Sequence, residues 1–251
     1  MIIAVGGWRG VGATTTALLA ASCLAAADPN GAWLIEADPA GGVLAGRMQL
    51  PPRTVGGLER VAFPTERMPV TDALTHVSHQ IGDMRVVSAP ADPFRAYACH
   101  QPRMPWVPAL RELPGSVVID VGRLRGGTPV WPLLSLADVV LLVAAPEISA
   151  AVSAAEWLQA GGRVSPSDPG LPHASARIVF VESAGSIGFP RSTLLGELGE
   201  QCAGWLPWEE ATVDFAHRGA TAQDRRLRRS PLMGAVNQMV LAVTIEQGAL
   251  R

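Results

Sequence analysis

The 251-residue chain contains no lysine; all 20 of its basic residues are arginines. No side chain can therefore supply an ammonium group to a substrate or to a bound phosphate. Cysteine is scarce too. Cys23, Cys99 and Cys202 are scattered and odd in number, which excludes a disulfide framework or a clustered Cys metal site and fits a reducing, cytoplasmic setting. Charged residues make up 17% of the chain and the net charge is −2, so no global basic field points to nucleic acid. No apolar run reaches the ~18–20 residues needed to span a membrane. The tail Met239–Arg251 has Arg251 as its only base, so direct membrane insertion is not expected either. An apolar strand beginning at Ile2 gives the expectation that no signal peptide precedes the fold.

What is present is concentrated at the start. Ile2-Ile3-Ala4-Val5 reads as a buried strand, Gly6-Gly7-Trp8-Arg9-Gly10-Val11-Gly12 as a glycine-rich turn, and Ala13–Ala27 as a helix. Strand, glycine loop and helix is the layout of a phosphate-binding loop. Gly7-x-x-x-x-Gly12-Ala13-Thr14 fits G-x-x-x-x-G-K-[ST] everywhere except at the lysine. The backbone N–H groups of Gly10, Val11 and Gly12 can form an anion nest beside the positive helix end. Thr14 keeps the hydroxyl that would hold Mg²⁺, and Thr15 is a second hydroxyl beside it.

Further buried strands are expected at Ala32–Ile35, Met84–Ser88, Val117–Ile119, Val139–Val143 and Ile178–Val181, with a short strand exit at 204–207. Helices are expected at Thr71–Ile81, from Pro146 to about Ala160, at Arg191–Ala203 and at Pro231–Gln247. Pro102, Pro105 and Pro108 with Trp106 suggest a proline-rich surface turn. Strands alternating with helices, without repeats, argue for one α/β domain over residues 1–251: a three-layer, mostly parallel sheet covered on both faces. Two strands end in acids, at Glu36-Ala37-Asp38-Pro39 and at Ile119-Asp120. Ligand chemistry collects at such carboxyl ends, and an Asp closing an apolar strand has the form of a Walker B Mg²⁺ ligand.

Together these landmarks resemble the MinD/ParA family of P-loop ATPases, whose loop reads K-G-G-x-G-K-[ST]-T. The matching stretch here is Trp8-Arg9-Gly10-Val11-Gly12-Ala13-Thr14-Thr15. Glu36-Ala37-Asp38-Pro39 looks like the family's D-x-D-P switch, and the likeness continues through Val118-Ile119-Asp120, Val139–Ala144 with Pro146-Glu147, and Leu206-Pro207. The resemblance implies a three-layer P-loop NTPase fold and ATP or ADP with Mg²⁺. It implies a nucleotide cradle of Gly7, Gly10, Val11, Gly12, Ala13, Thr14 and Thr15, with metal ligands Thr14 and Asp120 and a catalytic Asp38. It also implies a homodimer with a protein partner.

The departures fall on the chemistry. The family's early lysine is Trp8 here, its late lysine is Ala13, its first switch acid is Glu36, and its adenine-reading asparagine is Glu182 followed by Ser183. Together they point to a protein with lost or weakened ATPase activity, acting in spatial organisation or assembly. Partitioning, septum placement and the pilus-positioning branch exemplified by TadZ and CpaE are the settings the resemblance offers. Two alternatives stand beside this reading. In one, Arg9 brings its guanidinium to phosphate and the ATPase is active. In the other, Arg225, Arg226, Arg228 and Arg229 form a DNA-phosphate patch for a weak nucleic-acid contact. Trp8 is expected to meet a partner.

Overall fold

The computed structural model describes residues 1–8, 11–51, 54–101, 103–171, 176–184 and 190–249, with the backbone alone over 246–249. Arg9 and Gly10 lie outside the described residues, and so does Arg251. Eight strands form one sheet: β1 (Ile2–Gly7), β2 (Ala32–Glu36), β3 (His79–Ile81), β4 (Met84–Val87), β5 (Ser116–Arg123), β6 (Val139–Ala144), β7 (Ala176–Val181) and β8 (Cys202–Leu206). Their order is β3-β4-β2-β5-β1-β6-β7-β8, and every pairing is parallel except β3 with β4.

The central strands are apolar along their length because both faces are covered. Ile2, Ala4, Val117 and Ile119 face one cluster, and Ile3, Val5, Val118 and Leu141 face the other. The helix Ala13–Ala27 packs in the second cluster and is buried nearly all round. A helix apolar on every face belongs in the middle of a layer, not at its surface. The closing helix Pro231–Ala249 lies beside it. A bond from the Ala222 N–H to Ser22 Oγ at 2.7 Å ties the C-terminal segment to the first helix.

Each of the six expected core strands is present, and β6 lies inside the sheet. Three expectations need correction. The helix expected over Thr71–Ile81 ends at Val77, where Ser78 turns extended (ψ 152°) and β3 begins. The helix expected over Arg191–Ala203 ends at Leu198, because Gly199 takes φ 50° and the chain passes through one tight turn into β8. Trp106 is no surface residue. It is fully buried, and its indole N–H donates to the Cys99 carbonyl at 3.1 Å.

Candidate functional site

The phosphate loop is built as a helix entry. Gly12 is the N-cap of Ala13–Ala27 and sits in the left-handed region at φ 91°, where glycine is favoured. The first intrahelical bond runs from the Thr16 N–H to the Gly12 carbonyl at 2.9 Å. The N–H groups of Ala13, Thr14 and Thr15 precede it and have no carbonyl within the helix to meet. With the helix dipole they form an anion-binding end. Val11, Gly12, Thr14 and Thr15 are half-buried around it, and Gly7 closes β1 beneath. Ala13, in the lysine slot, is 7% exposed and packs in the core. The expected roles of Arg9 and Gly10 fall outside the described residues.

Asp120 and Asp38 meet beside this loop. The β1–β5 register slips between Val5 and Gly6, so that Val5 pairs with Asp120 while Gly6 pairs with Gly122. Such a bulge re-aims a side chain at a sheet's end. Gly122, at φ +66°, leaves room for the Asp38 carboxyl, which a Cβ there would overlap. Asp120 is fully buried. Burial raises its pKa to about 6 and Asp38 adds repulsion, while Thr14, the Gly122 N–H and the Arg47 charge pull it down. Gly122 donates to Oδ1 at 3.0 Å; Oδ2 is buried without a well-formed hydrogen bond among the described residues. An unsatisfied buried carboxylate oxygen beside a threonine hydroxyl suits Mg²⁺, which typically takes one or two carboxylates and completes its shell with phosphate and water. Asp38 has its own pKa raised by burial, opposed by the Ala40 N–H and by Arg125.

Glu36 departs from its expected place in the switch pair. Its carboxylate accepts from the N–H groups of Val43 (2.6 Å), Leu44 (2.8 Å) and Ala89 (3.0 Å). Burial nonetheless raises its pKa to about 7. It is a clasp holding two loops, and Asp38 alone of the two switch acids borders the cleft. Trp8 also departs from expectation. Its ring lies 6.1 Å from that of Trp157 and packs on the core, so much of its surface is used within the chain.

Sequence reasoning missed three neighbours of the loop. Thr15 Oγ1 lies 3.1 Å from His217 Nε2, a pair 202 positions apart. Arg47 Nη1 lies 3.5 Å from the same nitrogen. Burial and the Arg47 charge push the His217 pKa down to about 4. Arg125 acts on Asp38 as Arg47 acts on Asp120. The cations near the site thus include Arg47 and Arg125, where the sequence offered only Arg9. No local pattern marks any of the three, because chain topology alone brings them to the loop.

A cavity of about 220 Å³ opens beside the loop, between Gly12, Thr15 and the ends of β7 and β8. Phosphate end, paired acids and adjoining slot lie along the carboxyl edge of one parallel sheet, where open α/β sheets bind ligands.

The sequence itself matches no family model and no curated protein. Solved structures do match over nearly the whole chain. The cell division ATPase MinD of Pyrococcus furiosus superposes with a TM-score of 0.72 at 14% identity, covering 97% of this chain and 98% of that one. MinD of Pyrococcus horikoshii, complexed with Mg-ADP, gives 0.71 at 14% identity over 95% and 93%. A ParA family ATPase from Chlorobium tepidum gives 0.70 at 11% identity over 96% and 98%. The chain has the MinD/ParA-type P-loop fold. Within that fold the described loop, Asp38 and Asp120 occupy the places the resemblance assigned to them, and Ala13 stands at the helix entry where the loop pattern has lysine.

Proposed function

We propose that this protein is a MinD/ParA-like nucleotide-binding module with lost or weakened ATPase activity, acting in spatial organisation or assembly through a homodimer and a protein partner. The observation that carries the reading is Ala13, buried at the lysine position in a chain without lysine. Losing one charge-assisted phosphate contact removes ~1.5–3 kcal/mol, or roughly 10- to 150-fold in affinity. Turnover suffers further, since phosphoryl transfer depends on electrostatic stabilisation. The free N–H groups of the helix entry, Thr14, Asp120 and the Arg47 and Arg125 charges support retained, weak binding of ATP or ADP with Mg²⁺. Support for a partner comes from an apolar groove between the helices Ile148–Gln159 and Arg191–Leu198, where Ile148 and Val152 are about half exposed.

Calorimetry with ATP and ADP in Mg²⁺, beside phosphate release from ATP and GTP, tests the reading. Weak binding without turnover is expected, and Ala13→Lys should raise affinity ~10-fold or more. Hydrolysis by the unmodified protein at the rate of lysine-bearing relatives would refute the loss of activity. Undetectable nucleotide binding by Ala13→Lys would refute the phosphate cradle.

A further inference from the structure

The cavity beside the loop has apolar walls, among them Val11, Leu19, Val181 and Leu206, and it stands next to the anion-binding helix end. At about 220 Å³ it is smaller than the ~300–1,000 Å³ of drug-sized sites, so it suits one flat ring system with its phosphates outside, on the loop. The carboxylate reaching this slot belongs to Glu182, at the end of β7. Its position is fixed from three sides. The Glu182 N–H donates to the Leu206 carbonyl at 3.0 Å. Oε1 accepts from the Trp205 indole N–H at 2.7 Å, and Oε2 accepts a long bond, 3.4 Å, from the Trp208 N–H. A carboxylate has about four acceptor sites, so each oxygen retains one after these bonds.

We infer that the slot reads a purine through Glu182 and that it favours guanine over adenine. An ionised carboxylate accepts hydrogen bonds and donates none. Guanine presents N1–H and the 2-amino group side by side, two donors that match the two oxygens of a carboxylate. Adenine offers its 6-amino group beside a bare ring nitrogen, and that nitrogen faces a negatively charged oxygen. One base makes two charge-assisted bonds and the other makes one bond and one repulsive contact. A site built to pair a donor rejects the analogue that lacks it.

The inference rests on the reading of the loop as a phosphate site, and the two fail differently. The full-length protein is titrated with GDP, ADP and pyrophosphate in Mg²⁺ by calorimetry. GDP should bind at least ~10-fold more tightly than ADP, the effect of one charge-assisted bond. Glu182→Gln keeps an oxygen for the Trp205 indole and adds a donor for adenine, so the preference should shrink to within ~3-fold or reverse. ADP binding as tightly as GDP to the unmodified protein overturns the guanine assignment and leaves the nucleotide reading standing. Pyrophosphate binding as tightly as both nucleotides shows that no base enters the slot and overturns the assignment as well. Failure of all three to bind overturns the phosphate site and the inference together. The comparison within the unmodified protein decides the matter even if the variant does not fold.

Discussion

Gly122 is the position on which the meeting of Asp38 and Asp120 depends, and three glycines separate its backbone role from its spatial one. Gly122 has φ +66° and lies against the Asp38 carboxyl. Gly127 has φ +79° with open space around it, and Gly46 has open space and no positive φ. Gly46→Ala, in the short helix Leu44–Arg47, should be neutral or stabilising by up to ~1 kcal/mol. Gly127→Ala carries the left-handed backbone cost alone, ~1–2 kcal/mol. Gly122→Ala carries that cost and must also push Asp38 aside. The displacement breaks the bond from the Ala40 N–H to Asp38 Oδ1, 2.8 Å long, which adds ~0.5–1.5 kcal/mol. The expected loss is about 2–3 kcal/mol, which in a chain of this size lowers Tm by roughly 4–12 °C. Urea unfolding of the three variants beside the parent measures the series, with unchanged m-values required for the comparison. If Gly122→Ala is no more destabilised than Gly127→Ala, the two carboxylates do not share the crevice described.

His100 is buried, and burial pushes its pKa down to about 4. Its folded value lies below the unfolded value near 6.5, so its contribution is present above that pH and is lost as pH falls through about 4, ~3 kcal/mol in all. Glu36 and Asp120, whose pKa values are raised, work in the opposite direction over part of that range. The readout is therefore the difference in unfolding free energy between parent and His100→Phe, and a difference that does not change between pH 7 and 4 refutes the assignment. A double-mutant cycle of Trp8→Ala and Trp157→Ala should show ~0.5–1.5 kcal/mol of coupling from the ring contact; no coupling would return Trp8 to a partner-facing role. The DNA alternative requires Arg225, Arg226, Arg228 and Arg229, all exposed and, among the described residues, without a salt bridge. Four phosphate contacts imply a log–log salt slope of about −3 to −4 and roughly 100-fold weaker binding at 200 than at 50 mM salt. A flat salt response, or DNA retention unaffected by replacing the four arginines with alanine, removes that alternative.

The fold was legible because its signals are local. Ile2–Val5, Val117–Ile119 and Val139–Val143 are short apolar runs bounded by turn residues, and buried parallel strands leave that pattern. The elements that were misread are those where the outcome is decided from outside. β3 pairs only on one side, with β4, and its His79-Gln80-Ile81 carries no apolar run. It was absorbed into the preceding helix because nothing in its composition separates the two. Trp106 sits among prolines that mark a surface turn by composition. Its burial follows from helices packed over it, which residues 102–108 alone cannot reveal.

The site divides along the same line. Gly12, Ala13, Thr14 and Asp120 were found because a phosphate loop and a strand-end acid are contiguous in sequence. His217, Arg47 and Arg125 were not, because they reach the site only through the crossovers of the sheet. Glu36 shows the limit most clearly. By position it matches an acid of a two-acid switch, and the motif treats it as equivalent to Asp38. Yet the strand register sets Glu36 directly beside Asp120, and two ionised carboxylates side by side in a buried strand end would repel. The arrangement avoids this by turning the Glu36 oxygens onto three backbone N–H groups and by raising both pKa values. A glutamate reaches one methylene further than an aspartate, which lets a single carboxylate span the N–H groups of residues 43, 44 and 89. The exchange at this position thus converts an acid of the switch motif into a fixed clasp under the cleft. It leaves Asp38 and Asp120 as the pair available to a metal, in the same chain in which Ala13 has removed the phosphate-steering charge.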